Sequence, residues 1–163
     1  MKIEAKDYKQ TTETIPTFIE NKRTMRFKNN SKKTCFKVRV DGGVISQTAK
    51  RPKCDSLLVV GKPVIIIENE VEKTLYDIDS REQEHFVELK GTDVSHGIEQ
   101  LEATIPDLWI SKDALDHKTR KAYCICTSVP QGARTTKQVA AKRFLKKLKT
   151  ELMVKEKVHE VTI

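Results

Sequence analysis

A carboxylate and an ammonium group stand two positions apart in the segment Phe86–Gly91. Side chains alternate between the two faces of a β-strand, so Glu88 and Lys90 would project from the same face. Burying that face without partners would isolate two charges at a high cost in free energy. In a cleft, Glu88 and the backbone carbonyl of Leu89 could ligate Mg²⁺. Lys90 could hold or deprotonate an attacking water and stabilise charge in the transition state, so the pair indicates metal-assisted hydrolysis.

A Mg²⁺ ion held by Glu88 needs at least one more protein oxygen. Asp55 is the expected donor, because it begins the apolar segment Ser56–Val60, which is predicted to be a neighbouring strand. Asp79 and Asp77 are closer to Glu88 along the chain and are alternative donors. Asp55 is preferred because a strand follows it at once, whereas a polar loop follows Asp79.

Alternating and continuous apolar runs predict the strands that would carry these residues. The predicted strands are Thr34–Val40, Ser56–Val60, His85–Lys90 and Ala122–Val129, with a further candidate at Val64–Ile67. Gly61–Pro63 is predicted to end the second of them, and Asp41–Gly43 is a turn signal. A Glu-x-Lys pair on an isolated strand is often only an exposed ion pair, so the surrounding elements carry much of the argument.

Two amphipathic helices are predicted in the second half of the chain. Asp93 is the expected N-cap of the first, and Pro106 its expected end. Its apolar stripe consists of Val94, Ile98, Leu101 and Ile105. The second is predicted from about Thr136 to Met153, with a buried stripe of Ala141, Phe144, Leu145, Leu148 and Leu152. An earlier segment, Thr17–Phe27, is compatible with a helix that buries Phe18 and Ile19.

Together these elements have the order αβββαβα, which is typical of a mixed α/β domain. The 163 residues suit a single domain, with residues 1–16 as a possible loose N-terminal arm. A chain of this length can bury a hydrophobic core without disulfides or structural metals.

The composition places this domain in a reducing compartment. No apolar run approaches the ~20 residues that a membrane-spanning helix needs. The N-terminus lacks the apolar core of a signal peptide, so a cytoplasmic location and no membrane partner are expected. The four cysteines lack metal-finger spacing and are expected to be buried thiols. They are Cys35, Cys54, Cys124 and Cys126.

Charge is distributed unevenly along the chain, with basic flanks around an acidic centre. Between Lys22 and Lys53 there are eleven Lys or Arg residues and one acid, Asp41. Between Asp55 and Asp116 there are fifteen acids and five bases, and between Lys118 and Lys149 ten bases and no acid. Clustered cations suit a phosphate-binding surface, and clustered carboxylates suit a divalent-metal site. Because proteins that cut nucleic acid need both, this layout favours a nucleic-acid partner.

These features resemble the PD-(D/E)XK nuclease superfamily, in which a helix precedes a three-stranded meander, a crossover helix and a fourth strand. The resemblance implies a restriction-endonuclease-like core: a mixed central sheet of about four to five strands flanked by helices (αβββαβ), here with a basic C-terminal helix. It implies that Asp55 and Glu88 are metal ligands and that Lys90 is the catalytic lysine. It also implies that Gln100 is a further catalytic residue and that Glu20, in the first helix, is a further metal ligand.

The resemblance covers roughly residues 17 to 130, and the chain departs from the family's pattern at two points. No proline directly precedes Asp55. The 33 positions between Asp55 and Glu88 are many for a simple hairpin, which implies an insertion between Gly61 and Glu84.

The basic face of the last helix and one histidine are the expected nucleic-acid contacts. They are Arg134, Lys137, Lys142, Arg143, Lys146 and His96. Such contacts would position the substrate without reading its sequence. The predicted function is therefore a Mg²⁺-dependent endonuclease that hydrolyses phosphodiester bonds of DNA, with Mn²⁺ as a substitute metal and RNA as a second possible substrate. A homodimer would supply one site for each strand of a duplex. The alternative is a non-catalytic protein that uses the same fold to bind nucleic acid or another partner.

Overall fold

The computed structural model describes residues 5–68, 71–108, 119–129 and 132–163, with the side chains of residues 5, 63–68, 71–81 and 133–134 left aside. The strands in these ranges are β1 (Tyr8–Thr11), β2 (Thr17–Glu20), β3 (Arg23–Lys28), β4 (Cys35–Arg39), β5 (Ser56–Glu68), β6 (Val71–Lys90), β7 (Arg120–Cys126), β8 (Glu151–Glu156) and β9 (Val158–Thr162). The helices are α1 (Val94–Leu108), α2 (Ala133–Arg143), which continues as a π-helical turn over Phe144–Leu148, and a single 3-10 turn at Ala5–Asp7. Within the same ranges, none of the helices has the length and apolar character needed to cross a membrane.

A six-stranded mixed sheet in the order β1-β4-β5-β6-β7-β8 forms the centre of the fold. The pairs from β1 to β6 are antiparallel, whereas β6, β7 and β8 are parallel. Parallel neighbours need crossover connections, and α1 and α2 provide them. The prediction of a mixed α/β fold is confirmed, but the sheet has six strands rather than four or five. Because β1 pairs with β4, part of the segment expected to be an arm belongs to the sheet.

Alternation along β6 divides the core between the two faces of this sheet. Phe86 lies on the helical side, in the cluster that contains Leu101 of α1. Val87 faces the other way, in the cluster that contains Phe27 of β3. The molecule therefore has three layers: the helices, the large sheet, and a small sheet of β2, β3 and β9. Glu88 shares the helical face with Phe86, as the period of two predicts.

The small sheet occupies the segment Thr17–Phe27, so the helix considered there is wrong. β2 and β3 form an antiparallel hairpin, and its two turn residues, Asn21 and Lys22, have φ angles of 45° and 67°. Two positive φ angles at a two-residue turn are typical of type I′ hairpins. Ile19 is 71% exposed and Phe18 only partly buried. The strand form prevails because β9, from the far end of the chain, pairs in parallel with β3.

β5 and β6 extend beyond the other strands as a two-stranded ribbon. The prediction that Gly61–Pro63 ends β5 is wrong, because pairing resumes at Pro63 after two register shifts and continues to Glu68, opposite Val71. Pro63 has no N–H to donate, and prolines within sheets occur at edges and bulges. The described residues between Gly61 and Glu84, where an insertion is predicted, lie in this ribbon.

α1 follows its sequence pattern closely. Oδ1 of Asp93 accepts a 2.9 Å hydrogen bond from the N–H of His96, which is the predicted N-cap interaction. The four stripe residues Val94, Ile98, Leu101 and Ile105 are buried. The helix does not end at Pro106 but continues to Leu108. Pro106 lacks the N–H that would donate to the carbonyl one turn earlier, and the helix ends two residues after it.

α2 begins and ends earlier than predicted. Its π-helical turn is closed by Lys149, which has a left-handed φ of 49°. Leu152–Met153 therefore lies in β8, which pairs in parallel with β7. The buried helix position is Ala140 rather than Ala141, and Leu145 is 47% exposed. The predicted basic helix exists, but it is not C-terminal, because two strands follow it.

The four cysteines are buried free thiols, as predicted. Cys124 and Cys126 lie on the same face of β7, with their Sγ atoms 3.6 Å apart. Both belong to the core on the helical side of the large sheet.

Candidate active site

Asp55 and Glu88 meet where β5 begins and β6 ends. The backbone N–H of Asp55 donates to Oε2 of Glu88 at 3.1 Å. In return, the N–H of Leu89 donates to Oδ2 of Asp55 at 2.7 Å. The β5–β6 ladder stops at the pair Ser56–Val87, so each carboxylate caps a backbone group just beyond the last pair. This reciprocal arrangement fixes the two carboxylates side by side.

The carboxylate of Glu88 is nearly inaccessible, with 2% of its side chain exposed. Burial first, and then the charge of Asp55, raise the pKa of Glu88 from 4.5 to about 8. Burial also raises the pKa of Asp55, which is half-buried. Amide side chains could cap the same N–H groups without charge, so capping alone does not account for two acids here. A nearby cation would offset their repulsion.

Lys90 is held beside this pair by Gln100 of α1. Its Nζ donates a 2.7 Å hydrogen bond to Oε1 of Gln100 and lies 3.9 Å from Oε1 of Glu88. Nε2 of Gln100 donates to the carbonyl of Lys53 at 2.8 Å. Gln100 therefore links the lysine on β6 to the loop that leads into Asp55. With 25% of its side chain exposed, Lys90 is accessible to a ligand.

Gly97 lets α1 approach the sheet closely enough for that contact. A Cβ at this position would lie 2.8 Å from Sγ of Cys124, 3.3 Å from Cβ of Lys90 and 3.4 Å from Cγ of Glu88. The 2.8 Å contact is too short for a side chain, so the helix or the sulfur would have to move. A glycine inside an amphipathic helix is a sequence signal that indicates such close packing.

Thr104 provides a second link between α1 and the site. Its Oγ1 accepts a 2.7 Å hydrogen bond from the N–H of Cys54 and donates to the carbonyl of Gln100 at 2.7 Å. The residue directly before Asp55 is thereby tied to the helix that carries Gln100. No sequence pattern indicates this contact, because 50 positions separate Thr104 from Cys54.

Glu20 lies at the end of β2, not in a helix as predicted. Its charge nevertheless contributes to raising the pKa of both Asp55 and Glu88. After burial and the charge of Asp55, the charge of Glu20 also raises the pKa of Glu88. Its Oε2 pairs with the guanidinium of Arg23 at 3.3 Å. The side chain of Arg23 is only 7% exposed, whereas that of Glu20 is 50% exposed. Arg23 is a site neighbour that the sequence did not single out.

Among the described residues, no group of three or more His, Cys, Asp or Glu side chains is placed to hold a metal ion. The candidate ligands are therefore the carboxylates of Asp55 and Glu88 and the backbone carbonyl of Leu89, and Glu20 does not complete a group of three acids with them. Asp77 and Asp79 have side chains outside the described part, but both belong to β6. Asp79 is nine positions from Glu88 along β6, and both Asp77 and Asp79 fall where the register between β5 and β6 shifts. The structure thus brings Asp55 to Glu88 by hydrogen bonds, and the register gives Asp77 and Asp79 no partner on β5.

The predicted nucleic-acid contacts are spread over α1 and α2. Lys142 and Lys146 are exposed, and Lys137 is half-buried. Arg143 pairs with Glu102 of α1 at 2.6 Å. His96 is 45% exposed in the first turn of α1. The side chain of Arg134 lies outside the described part.

Lys137, on α2, lies close enough to Cys126 for its charge to affect the pKa of that thiol. After the hydrogen bond with Cys124, the charge of Lys137 acts to lower the pKa of Cys126. Cys126 is the register partner of Lys90 across β6 and β7. Lys137 therefore lies at the same end of the sheet as the acidic pair.

Comparison of the chain with protein-family models, with curated proteins and with solved structures gave no match.

Proposed function

We propose that this protein is a Mg²⁺-dependent endonuclease of the PD-(D/E)XK type that hydrolyses phosphodiester bonds of DNA. The observation that carries the proposal is the pair of carboxylates, Asp55 and Glu88, each held by a backbone N–H of the neighbouring strand end, with Lys90 beside them. Two acids and one cation at the end of a central strand match the chemistry of metal-assisted phosphodiester hydrolysis.

The donor set suits Mg²⁺ better than a metal that needs a complete protein cage. Mg²⁺ usually keeps several waters and is bound by one or two carboxylates together with substrate phosphates. Asp55 and Glu88 supply that number of carboxylates, and the carbonyl of Leu89 is a third potential oxygen. Hard oxygen ligands also suit Mn²⁺, which is the expected substitute. Glu20 contributes charge to both acids, while its own carboxylate pairs with Arg23.

The order of elements supports the assignment to this superfamily. β4, β5 and β6 form an antiparallel meander, α1 is the crossover, and β7 lies parallel to β6. This is the order that the superfamily's core has after its first helix. Here a β-hairpin stands in place of that helix and carries Glu20.

Each residue has a role that follows from its contacts. In hydrolysis, the oxygen of water bonds to phosphorus and gives up a proton to solvent, while the bond from phosphorus to the leaving sugar oxygen breaks and that oxygen takes up a proton from solvent. Lys90 acts as a hydrogen-bond donor to the phosphate oxygens, where negative charge increases. Gln100 orients Lys90, and Asp55 and Glu88 hold the cation. When bound, Mg²⁺ supplies Lewis-acid stabilisation of the phosphate.

The decisive experiment is plasmid cleavage by the purified protein in Mg²⁺, compared with Glu88→Gln and Lys90→Met. Both substitutions keep the approximate shape of the side chain and remove its charge. Lys121→Met is a matched control, because Lys121 is 33% exposed on neighbouring β7 and pairs with Glu151 at 3.6 Å. Circular dichroism checks that each variant is folded.

We expect the wild type and the Lys121 variant to cut, and the other two to lose cutting. Cleavage that is equal in all four proteins and insensitive to chelation would refute the proposal. Binding of DNA without cleavage by any of them would favour a non-catalytic binding protein. Sedimentation of the wild type would show whether a homodimer supplies two sites to a duplex.

A further inference from the structure

A groove opens beside the candidate active site, between the β4–β5 loop and the first turns of α1. Its volume is about 370 Å³, and Gln100 forms part of its wall. Lys50 and Arg51 line it from the loop, and His96 from the helix. Because Gln100 also accepts the hydrogen bond from Lys90, the groove begins one side chain away from the site.

The loop that forms this wall is organised around the ammonium group of Lys53. Its Nζ donates to the backbone carbonyls of Ser46, Gln47 and Ala49 at 3.2, 3.4 and 3.2 Å. Only 10% of this side chain is exposed. The carbonyl of Lys53 in turn accepts a hydrogen bond from Gln100. The loop is thus held in shape before any ligand arrives, which lowers the entropic cost of binding.

The remaining cations of the loop, Lys50 and Arg51, line the groove. Lys50 is exposed. Arg51 is 50% exposed and pairs with Asp107 at 2.7 Å. A guanidinium has five N–H donors, so one ion pair occupies only part of it. The acid that lines the groove, Asp41, lies 3.5 Å from Nζ of Lys53, which offsets its charge.

From this arrangement we infer that the groove binds the phosphodiester backbone of the substrate strand next to the phosphate that is cut. The inference rests on the proposed function and adds a binding site to it. Lys50 and Arg51 would each contact a phosphate, and the rigid loop would set the strand's path toward Lys90. Contacts of this kind position a strand and release counterions without reading its sequence.

The test measures binding in a chelator, so that cleavage plays no part. The probes are a short fluorescein-labelled DNA duplex and an RNA duplex of the same sequence, each titrated over a range of salt concentrations. The groove variant is Lys50→Gln with Arg51→Gln. The control variant is Lys9→Gln with Lys28→Gln, which removes the same charge from β1 and β3. Lys9 is exposed like Lys50, and Lys28 is 47% exposed and paired with Glu160 at 2.7 Å, like Arg51 with Asp107.

We expect the groove variant to bind at least about tenfold more weakly than the control variant at ~0.1 M salt. The slope of log affinity against log salt should fall by about 2, since each phosphate contact contributes about 0.9. A loss with both probes would indicate the shared phosphate chemistry, and a loss with one would assign the groove to that nucleic acid. Equal binding by the two variants, or no binding by the wild type, would overturn the inference.

Cleavage in Mg²⁺ separates this inference from the proposed function. If Glu88→Gln abolishes cutting while the groove variant binds like the control, the hydrolytic function stands and the groove assignment fails. If the groove variant loses binding while the wild type does not cut, the groove stands as a nucleic-acid site and the hydrolytic function fails.

Discussion

Oε2 of Glu88 accepts a hydrogen bond from the backbone N–H of Asp55 at 3.1 Å, although 33 positions separate the two residues along the chain. The return contact joins the N–H of Leu89 to Oδ2 of Asp55 at 2.7 Å. Two carboxylates are thus held side by side by backbone N–H groups, which are uncharged and cannot neutralise them. The stability and the metal affinity of the protein should therefore depend on pH.

Without metal, Glu88→Gln is expected to stabilise the protein at pH 8. The pKa of Glu88 rises from 4.5 to about 8 on folding, so between these values the folded state binds more protons than the unfolded state. The free energy of unfolding of the wild type therefore falls as pH rises through this window. At about 1.4 kcal/mol per pKa unit, the variant should gain up to a few kcal/mol at pH 8 and little near pH 4.5.

Urea unfolding in a chelator at both ends of the window measures this difference. Glu82→Gln is the control, because Glu82 is exposed on the same strand. Parallel pH profiles for the wild type and Glu88→Gln would contradict the prediction.

The affinity for Mg²⁺ should increase between about pH 6 and about pH 8, because a protonated Glu88 must lose its proton to bind the ion. Binding should accordingly release protons, which calorimetry in two buffers of different ionisation enthalpy detects. Mg²⁺ should also raise the melting temperature of the wild type but not of Glu88→Gln. An affinity that stays constant across this pH range would count against Glu88 as a ligand.

Gln100→Ala is expected to lower the cleavage rate by about tenfold or more, since it releases Lys90 from its 2.7 Å hydrogen bond. The loss of stability should be only about 1 kcal/mol per hydrogen bond removed. In a double-mutant cycle with Lys90→Met, the two effects on rate should be less than additive, because both act through the same ammonium group. Gln138→Ala, at an exposed position of α2, is the matched control. Additive losses would show that Gln100 does not act through Lys90.

Gly97→Ala should destabilise the protein by about 1–3 kcal/mol, because the new Cβ would stand 2.8 Å from Sγ of Cys124. Cys124→Ala removes that sulfur, so the double variant should recover part of the lost stability. Gly97→Ala should also lower activity, because the new Cβ would lie 3.3 Å from Cβ of Lys90. This contact remains in the double variant, so its activity should stay low. Gly132→Ala, whose Cβ would meet nothing within 4 Å, is the control. Thermal unfolding and plasmid cleavage measure the two effects, and no recovery of stability would contradict the packing argument.

The amino-acid sequence by itself determined the elements whose signals lie within a few residues. The strand that carries Glu88 and Lys90 follows from alternation, and both side chains do lie on the helical face. The N-cap at Asp93 and the apolar stripe of α1 follow from spacing along a single helix. These features depend on backbone geometry that neighbouring residues alone impose.

Only the tertiary structure decided the features that join distant segments. The segment Thr17–Phe27 is a hairpin because β9 pairs with β3. No local sequence pattern predicts a pairing strand at the far end of the chain. The meeting of Asp55 with Glu88 depends on the β5–β6 register, which ends at the pair Ser56–Val87 and so brings together the acids just beyond it. The groove beside Gln100 likewise exists because Lys53 shapes a loop around its own ammonium group. Contacts between residues that are far apart in the chain depend on strand pairing and helix packing. Local residue types and spacing do not specify them.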